Sequence, residues 1–411
     1  MTIPFDRPRV ANVAVKTVTR APGVSVVFLA ALAPMVTVPA IRRLVVEEHG
    51  GSPALVHVFV AMGMIGSAIG APLIASKVDS RGGHLHVAAW LASIDALVQL
   101  LTSYSIPTSV LFLLRPIHGM ASMGLLALLF AQFRGSKGSL VTHAGAAMIA
   151  ALAIGPALGG ILSKIGYGVP FRVAAAISAV LAVVLFFASA GAPLVVRARQ
   201  ARRDTFSETA RPILAPLLIS ASQRFAIGGF VAAFAVQARA VHGLSDAKVG
   251  MCFSTLLVVF ALAMMLVGRM RDARKQATLA SLGAVLFGAA FVGLAVVPTL
   301  WLPVALACAG VGAALVYGPC LAFVSAAAVD QTRTTSMALL HAAGAVGMIA
   351  GALVAAAIDL SMRGSSIPAR AAAFMTFAGV AHAVTALVLA PRLRKLAAGF
   401  TSNAFTAQGQ S

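Results

Sequence analysis

A chain of 411 residues that is 60% hydrophobic and only 10% charged, with a mean hydropathy of +0.96, is excluded from the soluble globular class. Its formal charge of +20 is dispersed between apolar runs rather than gathered in one patch, which argues against a nucleic-acid binder. Cys252, Cys308 and Cys320 lie in apolar stretches with no CxxC or Cys/His spacing, so neither a disulfide framework nor a metal site is expected.

Twelve apolar runs are long enough to cross a hydrocarbon core of about 30 Å. They lie near 24–46, 54–76, 86–102, 110–133, 141–164, 171–194, 213–238, 250–267, 277–297, 301–329, 337–360 and 371–390. Each is predicted to be a helix, because in lipid a lone strand leaves its backbone polar groups unpaired. The runs are continuously apolar rather than alternating, which excludes a β-barrel. The residues before the first run carry Arg and Lys but no apolar core or cleavage site, so that run is expected to act as the insertion signal.

In chain order, the first run contains no acid from Val24 to Val45 and ends near Arg42 and Arg43, which are expected to snorkel to the interface. Ala75-Ser76-Lys77-Val78-Asp79-Ser80-Arg81-Gly82 follows the second run. Asp95 is the one carboxylate near the middle of a run, with Asp359 near the end of the eleventh. The fourth run carries Arg115 and, one turn on, His118. An ionisable group at membrane depth costs several kcal/mol unless paired or wetted, so these are functional candidates. A guanidinium cannot shed its proton, and Arg115 must face water, a partner or an anion. Asp95 is open to two readings, a proton carrier or a structural partner of Arg115. The fifth run contains Gly155-Pro156-Ala157-Leu158-Gly159-Gly160 in a charge-free stretch, where the proline removes a ladder hydrogen bond and the glycines clear one helix face for a neighbour.

An Arg-rich stretch, 195–212, then separates six runs from six. The seventh run holds Gln223 and Arg224, which puts a second cation at membrane depth. Gly268-Arg269-Met270-Arg271-Asp272-Ala273-Arg274-Lys275 follows the eighth and echoes the stretch around Asp79, as expected of an internal repeat. Gly318-Pro319 marks a kink in the tenth. His341, Gly344, Gly347 and Gly351 line the eleventh at helical spacing, where packing is the expected role of the glycines. With the amino terminus inside, 21 of the 31 Lys and Arg fall on the cytoplasmic side, which places both termini in the cytoplasm.

The hexapeptide 155–160 resembles the antiporter motif in the fifth helix of drug–proton exporters of the major facilitator superfamily. Arg115-Pro116-Ile117-His118-Gly119 is similar to that family's R-x-x-(Q)-G motif, with His in the Gln position. Phe171-Arg172 opens the sixth run where the family often has Trp-Arg. Gly70-Ala71-Pro72-Leu73, Asp79 and Gly82 resemble parts of its loop motif, with Ala75, Ser80 and Gly83-His84 departing from it. The resemblance implies an all-α integral membrane protein of 12 transmembrane helices in two pseudo-symmetric six-helix bundles. Their expected limits are 1–194, a cytoplasmic linker 195–212, and 213–411 with a short cytoplasmic tail. It also implies that Arg115 takes part in proton transfer, and that Asp79 and Gly82, with Asp272 and Arg274 in the repeat, form gating loops in which the motif Asp caps a neighbouring helix. The partner of the hexapeptide is expected in the other half.

No P-loop, GxGxxG after a strand or HExxH occurs, so an enzyme is not expected and transport must run on an ion gradient. The expected function is a proton-coupled exporter of a small organic molecule in the cytoplasmic membrane, with no cofactor, no nucleic acid and a monomeric state. Proton coupling is expected from Arg115, His118 or Asp95, and a substrate cavity from Arg115, Arg224, Gln223 and His341. Two membrane arginines with little acid favour an anionic or zwitterionic substrate. An importer or organic-anion exchanger is the alternative within transport, and a receptor or a membrane-embedded enzyme the alternative outside it.

Overall fold

The computed structural model describes residues 22–41, 43–51, 53–81, 84–132, 139–190, 206–244, 246–270, 272–328, 332–362 and 364–408. Among them, twelve helices are long and apolar enough to cross a membrane. These are α1 (Pro22–Val36), α2 (Pro53–Arg81), α3 (His84–Thr102), α4 (Thr108–Ala131), α5 (Ser139–Ser163), α6 (Gly168–Ala190), α7 (Phe206–Ala240), α8 (Asp246–Val267), α9 (Ala273–Val296), α10 (Leu302–Ala327), α11 (Arg333–Ser361) and α12 (Ile367–Gln408). Large apolar side chains such as Leu113, Phe187, Leu353 and Val388 stand more than half exposed, as a surface that faces lipid requires. The chain is a multi-pass membrane protein.

Three boundaries differ from the sequence reading. The first run is broken after α1 into a 3-10 turn at Val38–Ala40 and a π-helical stretch at Arg43–Glu48, because Pro34 and Pro39 each remove a backbone donor. Residues 206–212, expected in the linker, already belong to α7; the rest of the linker lies outside the described residues. The expected tail continues α12 through Pro391 to Gln408 rather than ending near 390. Leu393 and Ala397 are fully buried there against α9 residues such as Ala277 and Ala280, so packing extends the helix beyond its most apolar part.

The contacts obey a two-fold pseudo-symmetry. Within the first six helices α1 packs on α5, α2 on α4 and α3 on α6; within the second six α7 packs on α11, α8 on α10 and α9 on α12. Between the halves α2 packs on α11 and α5 on α8, while α4 meets α11 and α10 meets α5. Each of these pairs maps onto another when the halves are exchanged. Glycine backbones set the closest crossings: a Cβ at Gly159 would collide with the carbonyl oxygen of Val36 in α1, and one at Gly351 with that of Phe225 in α7. Where lipid supplies no hydrophobic drive, such close van der Waals approach is the main source of helix association.

The halves meet at one end. We call it the linker face, because α6 ends and α7 begins there. Near it, a Cβ at Gly145 of α5 would lie 2.7 Å from Met264 Cε of α8 and 2.8 Å from Leu321 Cδ2 of α10. Gly268, after α8, faces Thr142 and His143 of α5. The rings of Phe130 (α4) and His341 (α11) are 5.5 Å apart. Burial follows this seal. α4 is buried almost continuously from Ala121 to Ala131 and α10 from Gly312 to Ser325, while their other ends are far more exposed. α11 is buried over Thr334 to Leu340 and opens beyond Gly351.

Gly159→Leu and Gly351→Leu are expected to destabilise the protein by at least the 1–3 kcal/mol typical of overpacking. Gly160→Leu, where an added Cβ meets nothing within 4 Å, should be tolerated. Thermal unfolding of the detergent-solubilised variants, followed by loss of a monodisperse chromatographic peak, checks this contrast.

Candidate functional site

Arg115 lies two turns in from the start of α4, partly buried against α2. Its guanidinium carbon sits 4.9 Å from the centroid of Phe59, an arrangement in which the ring face attracts the cation. Gly63 makes this possible, since a Cβ there would come within 3.0 Å of Arg115 Nε. That Nε is buried and has no hydrogen-bond partner.

Asp95 and His118 are both deeply buried, at 2% and 4% exposed. His118 Nδ1 lies 2.8 Å from Asp95 Oδ1, and Ser178 Oγ of α6 donates to Asp95 Oδ2 at 2.7 Å. Gln99 Nε2 stands at a longer 3.4 Å from the same ring nitrogen. Three helices of the first half, α3, α4 and α6, are thereby joined around one carboxylate. The pairing of Asp95 with Arg115, one of the two sequence readings, is not made; His118 takes that place, while Asp95 remains within electrostatic range of Arg115. His118 can reach Asp95 because it leaves α4 one turn beyond Arg115, on the side packed against α3.

In the second half, Arg224 of α7 lies with its guanidinium carbon 5.0 Å from the centroid of Tyr317 in α10. Gly344 of α11 leaves it room, since a Cβ there would lie 3.3 Å from Arg224 Cγ. His341, one turn before Gly344, is within electrostatic range of Arg224, and its Nε2 is buried without a hydrogen-bond partner. Among the described residues neither Arg115 nor Arg224 forms an ion pair with a carboxylate. Gln223, expected beside Arg224 in a cavity, points elsewhere. It is fully buried, and its Nε2 donates to the carbonyl of Ala313 at 2.9 Å, tying α7 to α10. Successive residues leave a helix about 100° apart, so the two neighbours cannot share one face.

No protein-family model matches the chain, and no curated protein matches it by sequence. Solved structures do. The crystal structure of the human organic anion transporter MFSD10 (TETRAN) aligns with a TM-score of 0.72 at 19% identity, over 90% of this chain and 99% of that one. That of a bacterial homologue of the iron transporter ferroportin, in an outward-facing state, gives 0.66 at 11% identity, over 92% and 98%. The fold is the major facilitator fold. Identities this low carry the architecture and not the cargo.

Within the major facilitator fold the motif helix α5 lies somewhere other than expected. Gly155 and Gly159 press on Met35, Val36 and Pro39 of α1 in the same half, not on the other half; Gly160 faces open space. α5 touches the other half two to three turns earlier, at Gly145. Pro156 stays inside a continuous helix. Gly347 and Gly351 repeat the arrangement on α7, against Ala221 and Phe225, so they pack as expected. Asp272 does not cap a neighbouring helix but its own: its Oδ1 accepts from the amides of Arg274 at 2.9 Å and Lys275 at 3.3 Å. The Arg274 side chain is exposed. The side chain of Asp79 and the whole of Gly82 and Arg42 lie outside the described residues. Arg43 donates to the Ser163 carbonyl at 3.0 Å and pairs with Glu47 at 3.3 Å.

Sequence reasoning passed over Phe59, Ser178 and Tyr317. The first two are ordinary residues in apolar runs and carry no signal. Tyr317 does, as one of only three tyrosines in the chain, sitting deep in a span beside Gly318-Pro319.

Removing one member of the buried pair should cost more than removing both. His118→Leu strands a carboxylate and is expected to cost about 3–5 kcal/mol, whereas His118→Leu with Asp95→Leu should recover most of that loss. Melting temperatures of the two variants, compared in the same detergent, measure the difference.

Proposed function

We propose that the protein is a secondary active transporter that exports a small organic anion or zwitterion in exchange for protons by alternating access. The observation that carries this reading is the pair of guanidiniums, Arg115 and Arg224, at membrane depth in opposite halves. Each lies against an aromatic face, and among the described residues neither forms an ion pair with a carboxylate. A cavity that offers charge of this kind attracts anions and repels lipophilic cations. The first run has no acid with which to hold a cation. The similarity to a protein described as an organic anion transporter agrees with this reading.

The positive-inside bias puts the linker face and both termini in the cytoplasm. The seal at that face then makes the described state outward-facing. Asp95 and His118, 2.8 Å apart and with Asp95 within electrostatic range of Arg115, are the proton carriers in this reading. Exchange follows if proton and anion exclude one another and either one, but not the empty protein, lets the halves alternate: the anion-loaded protein carries its cargo out and the protonated one returns.

The test is flux in proteoliposomes with an imposed pH gradient, over a panel of aromatic carboxylates, dicarboxylates and lipophilic cations. Arg115→Gln and Arg224→Gln should each lower anion flux at least tenfold. Asp95→Asn should retain exchange of anion for anion while losing acceleration by the gradient. Transport of lipophilic cations that survives both arginine substitutions, with no anion flux, would overturn the reading.

A further inference from the structure

Two buried polar groups near Arg224 have bonding capacity left over. Tyr317 is 2% exposed and its hydroxyl meets only the Arg224 guanidinium, itself a donor, so the phenol O–H finds no acceptor; Nε2 of His341 has no hydrogen-bond partner. A buried donor left unmet costs free energy, so native proteins rarely keep one without a use. Here two such atoms, one on α10 and one on α11, flank the same guanidinium from α7. A guanidinium, a phenol and an imidazole N–H are three donors; the Tyr317 oxygen can accept from the guanidinium, but no neighbour named above accepts from the phenol O–H or the imidazole N–H. An oxyanion has that chemistry: it can accept from all three and neutralise the charge.

We propose that Arg224, Tyr317 and His341 form an oxyanion cradle that holds the carboxylate, or an equivalent oxyanion, of the transported molecule. The inference rests on the anion-transport reading above and goes beyond it in assigning the anion's charged end to the second half. The position of the cradle adds a consequence. The His341 ring packs on Phe130 of the first half, and Tyr317 Cε1 lies 4.0 Å from where a Cβ of Gly145 would be. The cradle is therefore complete only while the linker face is sealed, and an anion reaches it from the opposite face. Opening the seal withdraws Phe130 and Gly145 and loosens two of the three donors, so the anion's affinity differs between the two states of the halves.

The experiment is equilibrium binding to purified, detergent-solubilised full-length protein, read as thermal stabilisation against concentration, with benzoate, sulfate and chloride as probes. Benzoate should stabilise the wild type, sulfate should compete with it, and chloride at equal concentration should do neither. Tyr317→Phe keeps the ring under Arg224 and deletes only the unmet hydroxyl. Its unliganded melting temperature should match or exceed that of wild type while its apparent benzoate affinity falls about tenfold. His341→Phe, which keeps a ring against Phe130, should lose a similar factor. A merely structural role for either residue predicts the reverse pattern, a lower melting temperature with unchanged affinity, and that result would overturn the cradle. Stabilisation by chloride equal to that by benzoate would overturn it as well.

The sealed-state requirement has its own test. A Cβ at Gly268 comes 3.1 Å from that of Thr142, a few tenths of an ångström short of the usual disulfide separation of about 3.5–4.5 Å, so Thr142→Cys with Gly268→Cys can form a disulfide across the halves after a small shift. The oxidised, locked protein should bind benzoate at least as tightly as the reduced one; loss of binding on locking would overturn the assignment to this state. The two readings fail separately. Wild-type affinity in both cradle variants, with anion flux intact, removes the cradle alone. Absence of any anion stabilisation in wild type, together with absence of anion flux, removes the anion-transport reading itself.

Discussion

A guanidinium at membrane depth keeps its charge, so Arg115 and Arg224 must each be placed where something offsets the loss of water. The surrounding architecture can be read as the means of doing so twice. In each half a glycine on a crossing helix, Gly63 or Gly344, leaves the space that the arginine stem occupies. An aromatic ring then lies under the charge, Phe59 on the same helix as Gly63 and Tyr317 on a different helix from Gly344. Neither arrangement holds if the helices stand a side chain further apart. Close approach at the α2–α4 and α7–α11 crossings is therefore a requirement of charge accommodation as much as of packing.

The two halves differ in how they hold themselves and how they hold each other. Several polar ties run within a half: Asp95 with His118 and Ser178, Gln223 with Ala313, and Gln237 of α7 with the carbonyls of Leu294 and Ala295 of α9. Ser222 adds another, since its hydroxyl donates to Ile219, which leaves His382 Nδ1 to donate to Ser222 Oγ at 2.9 Å. Among the described contacts across the seal are softer ones, a ring on a ring at Phe130 and His341 and methionine and leucine ends against glycine at Gly145. Directional bonds stiffen each half, and contacts of this softer kind can part without breaking them.

Much of this was legible in the sequence. Twelve runs of bilayer length, an echo between 75–82 and 268–275, and the scarcity of charge inside the runs determine the fold class. What periodicity cannot supply is which neighbour a helix face meets. The hexapeptide at 155–160 clears a face of α5, but a stripe of glycines fits any backbone, and α1 rather than the other half occupies it. Asp95 could be matched to Arg115 or to His118 only once α3 and α4 were side by side. The break after α1 and the extension of α12 likewise depend on neighbours, because hydropathy reports where lipid can begin and not where a helix must end.

On the proposed mechanism, proton and anion bind in different halves, so their linkage must cross the seal. α4 carries Arg115, His118 and, at its far end, Phe130; α11 carries His341 beside Arg224. The α4–α11 contact is thus a contiguous physical connection between the two sites. Contiguity alone does not establish coupling; a difference in affinity between states does. Reversing a population from 1:99 to 99:1 needs about 5.5 kcal/mol of differential binding, roughly 10⁴ in affinity. One ring contact cannot supply that. Losing the two neutral donors on opening, at about 0.5–1.5 kcal/mol each, supplies roughly 1–3 kcal/mol of that, and the charged donor would add about 1.5–3 if it were lost as well. Part of the switching then rests on Tyr317 and His341, and the ring contact with Phe130 serves to make their geometry depend on whether the halves are closed.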